Sequence, residues 1–132
     1  MTTGFTNGCF DVVHIGHLKL FEHLKKQTDY VIVGIDSDHM VKKSKGDERP
    51  INNEKDRKFF LEKIQDIDEV FIFRSHDELR DQIKKIEPDY MLVGTHYRNK
   101  EVIGSEHAKV LDFFEVIDGY STTKILQNTP SR

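Results

Sequence analysis

The run Tyr30-Val31-Ile32-Val33-Gly34-Ile35 constrains this chain most. It is short and almost continuously apolar, the pattern of a strand covered on both faces. A parallel sheet with helices on each side buries a strand in that way. Similar strand-like runs lie over 5–10, 69–73, 90–93 and 113–117. Amphipathic stretches separate them. A helix over 16–27 points Leu18, Leu20, Phe21 and Leu24 inward. A helix over 54–64, capped by Asn52 or Asn53, buries Phe60, Leu61 and Ile64. A helix over 77–86 buries Leu79, Ile83 and Ile86, and Pro88 marks its end. Shorter helical pieces are expected near 39–43 and 106–109, and a last helix begins at Ser121-Thr122-Thr123. Strands alternating with helices at spacings of about 20–35 residues read as right-handed βαβ units. The expected architecture is one doubly wound, Rossmann-like α/β domain over 1–132 with a five-stranded parallel sheet.

Composition excludes several classes. Trp is absent from the 132 residues, so Phe and the aliphatic side chains must fill the core. Cys9 is the only cysteine, which rules out an internal disulfide framework and a Cys-rich zinc site. The formal net charge of -3 argues against nucleic acid as a main partner. No apolar run of about 18 residues and no signal-peptide pattern is present. A cytoplasmic protein without a membrane segment is expected.

The first strand runs into a glycine-bearing turn and then a helix start, over 8–16. A helix N-terminus offers unpaired N–H groups and partial positive charge, which suits phosphate. Gly8 and Gly16 let backbone approach a ligand. His14 and His17 lie i, i+3 and face one region. Such a pair suits attack by a phosphate oxygen on the α-phosphate of a nucleotide, where positioning and charge stabilisation carry the catalysis. Ordinary helix caps or half a metal site would leave the same spacing. Lys42-Lys43-Ser44-Lys45-Gly46-Asp47-Glu48-Arg49-Pro50 reads as a mobile basic loop beside the strand ends, with Lys45 the favoured polyphosphate ligand. Arg57 would add a second charge, although lone arginines are commonly surface groups. Gly119-Tyr120-Ser121-Thr122-Thr123 is an N-cap or a phosphate site. No P-loop, no Gly-x-Gly-x-x-Gly after the first strand and no Gly-x-Ser-x-Gly elbow occurs. The scattered acids make no dense metal cage, so Mg²⁺ would arrive with the nucleotide and keep several waters.

At Gly8, Phe10, Asp11, His14, Gly16 and His17 the chain resembles the cytidylyltransferase-like nucleotidyltransferases, whose stretch is Gly-x-Phe-Asp-x-x-His-x-Gly-His. Gly119, Ser121, Thr122 and Thr123 match their late Gly-x-Ser-Thr-Thr. Thr6 to Asp11, Lys45 to Pro50 and Asp118 to Thr123 are similar to the adenylyltransferase domains of bacterial ADP-heptose synthases. Those domains usually carry Lys-Gly-Gly-Asp-Tyr after the fourth strand, where this chain has Val93-Gly94-Thr95-His96-Tyr97. Glycerol-3-phosphate cytidylyltransferases share the histidine motif but carry an Arg-Thr pair where this chain has Ile117-Asp118.

The resemblance implies nucleotidyl transfer from a nucleoside triphosphate, ATP first, to a sugar phosphate such as heptose 1-phosphate. His14, His17 and Lys45 would be catalytic. Asn7, Gly8, Cys9, Phe10, Gly16, Gly94, His96, Gly119, Tyr120, Ser121, Thr122 and Thr123 would hold nucleotide and phosphates. Asp11, Lys19, Asp36 and Arg57 would meet the acceptor. A homodimer is in keeping with the resemblance, with Phe73, Phe113 and Phe114 serving an interface or the core. The alternatives are a CTP-dependent cytidylyltransferase for glycerol 3-phosphate and a nucleotide-binding module without catalysis. A fragment of an aminoacyl-tRNA synthetase is disfavoured, because no tRNA-binding part accompanies Lys42-Lys43-Ser44-Lys45.

Overall fold

The computed structural model describes residues 1–115. Five strands, β1 (Thr3–Gly8), β2 (Tyr30–Asp36), β3 (Glu69–Phe73), β4 (Tyr90–Gly94) and β5 (Val110–Phe114), make one parallel sheet in the order β3-β2-β1-β4-β5. The chain winds outward from β1 to β3, then crosses back to β4 and out to β5. The strand order therefore reverses between β1 and β4, the place where open α/β sheets gather ligands. Four helices connect these strands: α1 (Ile15–Gln27), α2 (Asp38–Lys45), α3 (Glu54–Glu62) and α4 (His76–Ile86). Single 3-10 turns lie at Thr95–Tyr97 and Ser105–His107.

Strand alternation divides the core into two layers. Val31, Val33 and Ile35 of β2 pack with Phe21 and Leu24 of α1 and Leu61 of α3. Ile32 points the other way and packs with Phe5, Phe73, Met91 and the α4 residues Leu79 and Ile83. β2 is thus covered on both faces, as its apolar run requires. Gly34 is needed inside this strand. A Cβ there would lie 2.9 Å from the Phe71 ring, which stacks on Phe5 at 5.9 Å.

Several boundaries differ from the sequence pattern. β1 ends at Gly8, not at residue 10, because Phe10 takes a left-handed backbone (φ 49°) that no strand accommodates. β5 begins at Val110 because its pairing with Tyr90 fixes the register there. The expected helix over 106–109 is only the 3-10 turn Ser105–His107. α3 ends at Glu62, where the amide of Lys63 turns back to the carbonyls of Leu61 and Phe60. Leu18 and Phe60, expected inside, are 40% and 55% exposed. In α1 the buried stripe is set by Leu20, Phe21 and Leu24, and Leu18 falls roughly 100° off its centre at 100° per residue. In α3 Arg57 and Leu61 occupy the buried stripe and leave Phe60 on its flank. Phe73 is core, and Phe113 and Phe114 pack against the core. The expected last helix and Gly119, Tyr120, Ser121, Thr122 and Thr123 lie outside the described residues.

Candidate active site

The carboxyl ends of β1, β2 and β4 surround the turn that joins β1 to α1. Packing makes this turn rigid. The Phe10 ring meets His17 edge-on at 5.2 Å and Phe21 at 5.2 Å, which holds the residue in its left-handed conformation. Gly8 leaves room for that ring, since a Cβ there would sit 3.1 Å from it.

The two histidines cap α1 reciprocally. His14 is the N-cap, and its Nδ1 accepts the Gly16 amide at 3.1 Å. The His14 amide donates to His17 Nδ1, also at 3.1 Å. Accepting an N–H requires a bare nitrogen, so each neutral ring carries its proton on Nε2. The rings stack with centroids 3.8 Å apart. Burial, the neighbouring His14 and Lys45 push the His17 pKa down to about 4, and burial lowers that of His14. At neutral pH the pair therefore offers two neutral N–H donors. Capping uses the Nδ1 edge of each ring.

Lys45 lies on the last turn of α2, not in a loop, and is exposed. Its positive charge favours the deprotonated forms of His17, Cys9 and Asp36. Burial keeps the Cys9 thiol protonated despite Lys45 and Arg57. Asn7 and Gly8 end β1, Gly94 ends β4, and all three are half-buried. Gly16 contributes its amide to the His14 cap. Lys19 is exposed on α1. His96 belongs to the 3-10 turn after β4, and its side chain lies outside the described residues.

Two expected acceptor ligands have other work. The Asp11 carboxylate is buried and accepts from Arg49 Nε and from the amides of Ile51 and Asn52, each at 2.8 Å. Burial opposes its charge, but the Asn52 and Ile51 amides and Arg49 outweigh burial and hold its pKa below the usual carboxylate range. Arg57 is 2% exposed, not a surface group. Its guanidinium donates to the carbonyls of Asn52 (2.9 Å), Cys9 (3.0 Å) and Asp36 (2.7 Å) and to the Asp38 carboxylate (2.8 Å). It ties the ends of β1 and β2 to the start of α3. Both side chains are buried and hold the turn.

Asp36 differs from these two. It ends β2, is half-buried and sits in electrostatic reach of Arg57, Lys45 and His76, although burial still raises its pKa. The Tyr97 phenol is within its electrostatic reach, and burial together with the Asp36 charge raises the phenol's pKa. Tyr97 and His76 were not singled out from sequence. Each follows directly on a parallel strand's carboxyl end, and that position was the available signal. A cleft of about 620 Å³ opens on the outer side of the turn, between Val12, Val13 and the α3 residues Phe59 and Phe60. Neither histidine lines it, while Phe10, Asp11 and Arg57 do.

Strand ends at a switch point, two imidazoles capping a helix start and a lysine in electrostatic reach of them suit nucleotidyl transfer, with no covalent nucleophile required. The chain belongs to the cytidylyltransferase-like family, whose model matches residues 5–128. It is 42% identical over 127 residues to the bifunctional protein HldE of a Nitratiruptor species, covering 96% of this chain and 27% of that protein. It is 45% identical over 123 residues to the bifunctional protein HldE of a Helicobacter pylori strain, covering 93% and 26%. The chain thus spans about a quarter of the length of these relatives. The crystal structure of a lipopolysaccharide core biosynthesis protein from Thermoplasma volcanium GSS1 has the same fold, with TM-score 0.70 and 19% identity over 89% of this chain and 97% of that one.

Proposed function

We propose that this chain transfers AMP from ATP to a sugar phosphate, with heptose 1-phosphate the first candidate, and releases pyrophosphate. The observation that carries the reading is the histidine pair with both Nδ1 atoms fixed on backbone amides. Each neutral ring then carries its single N–H on Nε2. An acceptor phosphate oxygen attacks the α-phosphorus of ATP, the bond from that phosphorus to the bridging oxygen breaks, and pyrophosphate leaves in line. Charge grows on the bridging oxygen and the non-bridging α-oxygens. His14 and His17 donate to those oxygens, and Lys45 neutralises the β- and γ-phosphates. The strand-end backbone of Asn7 to Phe10 flanks the nucleotide. Gly119 to Thr123, outside the described residues, complete the phosphate side by their resemblance to the family motif.

Mg²⁺ enters as part of the nucleotide substrate. Among the described residues no group of three or more His, Cys, Asp or Glu side chains is placed to hold a metal. The choice of ATP and heptose rests on the motif likeness at Thr6 to Asp11 and Lys45 to Pro50 and on similarity to the HldE proteins. We place the reaction in the cytoplasm, on small phosphates and not on nucleic acid. Among the described residues no helix is long and apolar enough to cross a membrane.

Pyrophosphate release with Mg²⁺ tests the reading, pairing ATP and CTP each with heptose 1-phosphate and glycerol 3-phosphate. Release with ATP and the heptose, lost in His17→Ala, is expected. Release only with CTP and glycerol 3-phosphate overturns the substrates and keeps the mechanism. Nucleotide binding with no release in any pair makes the chain a binding module.

A further inference from the structure

Lys45 sits within an exposed run. Lys42 to Glu48 all face solvent, and the last buried residue before them is Val41 of α2. The first side chain to return to the interior is that of Arg49, which is 11% exposed. A flexible ammonium on such a run is only as well placed as the backbone that carries it. That backbone is short and bonded. The Gly46 amide donates to Lys42 O at 2.9 Å and ends α2. The Arg49 amide donates to Gly46 O at 3.1 Å and closes a turn directly after Lys45.

Arg49 then anchors the turn. Its Nε donates to Asp11 Oδ2 at 2.8 Å, and the Asp11 side chain is 0% exposed. Asp11 opens the Asp11-Val12-Val13-His14 stretch that ends in the N-cap of α1. One buried ion pair thus joins the turn that follows Lys45 to the turn that carries the histidines. The amides of Ile51 and Asn52 reach the same carboxylate, but from further along the chain; Arg49 is the anchor nearest Lys45. The pair is not a closed fork. Among the described residues Arg49 Nη2 is the only buried side-chain nitrogen or oxygen without a partner. Closed arginine–carboxylate pairs bond through two N–H groups. Here the Asn52 amide takes Asp11 Oδ1, and Nε alone makes the bond. A stranded N–H group costs free energy. The contact forgoes its second bond and keeps its placement.

We propose that Arg49 is a positioning residue for Lys45: by anchoring the Gly46–Arg49 turn on Asp11, it holds that lysine where the β- and γ-phosphates of the nucleotide bind. Arg49 acts through Lys45 and touches no substrate. The inference rests on the role of Lys45 in the proposed transfer and adds the device that places its charge.

Calorimetry on the whole chain, with Mg²⁺ and a non-hydrolysable ATP analogue, tests it through a double-substitution cycle. Arg49→Gln is expected to weaken analogue binding about fivefold or more, within the range of coupled neighbours. Lys45→Gln should weaken it at least as much, and Arg49→Gln added to Lys45→Gln should weaken it no further. Arg49→Lys should recover most of the loss, because one donor serves the single bond to Asp11. Two glycines inserted between Asp47 and Glu48 leave the Arg49–Asp11 pair in place and lengthen the link to Lys45. They should cost as much as Arg49→Gln, and they decide the matter where Arg49→Gln does not fold. Additive losses in the double variant overturn the inference, since Arg49 would then act without Lys45. So does unchanged binding in Arg49→Gln, in Lys45→Gln or in the insertion variant, a failure of Arg49→Lys to recover binding, or no analogue binding by the wild type. A non-additive cycle with no pyrophosphate release from any sugar phosphate overturns the proposed reaction and leaves the role of Arg49 standing. Release with an unaltered ATP KM in Arg49→Gln does the reverse.

Discussion

A ring nitrogen that accepts a backbone N–H cannot also hold a proton, and this makes the histidine pair sensitive to acid in a defined window. His17 has a folded-state pKa of about 4 against an unfolded value of 6.5. Between those values the unfolded chain binds more protons, so stability falls as pH drops from about 6.5 toward 4 and is level above that window. Thermal melts of wild type and His17→Asn across that range should show the wild type losing its advantage as pH falls. A gap independent of pH would show that His17 titrates alike in the folded and the unfolded chain. For activity, His17→Ala is expected to lower kcat by about 10²–10³-fold, as for loss of one transition-state donor. The His-x-x-His spacing was legible in the sequence. The tautomer was not, because it depends on which backbone amides each ring meets.

At the scale of elements, the clamp around Arg57 decides whether the crevice forms. Arg57→Lys keeps the charge but not the fork, and one ammonium cannot serve four acceptors arranged about a plane. Because the side chain is 1% exposed, its loss leaves the Cys9 and Asp36 carbonyls without their donor. Urea unfolding of Arg57→Ala should show a loss of about 3 kcal/mol or more. A loss under about 1 kcal/mol, typical of a surface ion pair, would show that Arg57 does not clamp the strand ends. Gly8→Ala probes the same turn from below. Its Cβ must displace the Phe10 ring, and with it His17, so kcat should fall roughly ten- to hundredfold with the fold intact. An unchanged kcat would separate the Phe10 packing from catalysis. Neither clamp was legible, because Asp11 and Arg49 lie 38 positions apart and Arg57 and Asp36 lie 21 apart. A charged residue in sequence defaults to the surface, and only the assembled strand ends show what it holds. The helix and strand types, by contrast, followed from periodicity, and of the two asparagines offered as caps, Asn52 and Asn53, the structure uses Asn53.

For the whole molecule, topology was the most legible property, since five strand-like runs separated by helices leave few ways to wind a parallel sheet. Of the two roles open to Phe73, Phe113 and Phe114, interface or core, the structure gives the core. The exposed pair is Phe59 and Phe60 on α3, at 61% and 55%, with Ile51 at 45% in the segment leading into α3. They border the 620 Å³ cleft beside Val12 and Val13, and Asp56 and Lys63 line the same cleft with opposite charges. A face carrying both signs is self-complementary about a two-fold axis, so the expected occupant is a second copy of this chain. Covering it would shield Val12 and Val13, the residues between the Asp11 anchor and the His14 cap, and would stiffen the catalytic turn. Sedimentation should find a dimer for the wild type and a monomer for Phe59→Ser/Phe60→Ser. The double variant should retain its helical circular dichroism and lose part of its kcat. A monomeric wild type, or a dimer that survives the double substitution, would place the association elsewhere or remove it.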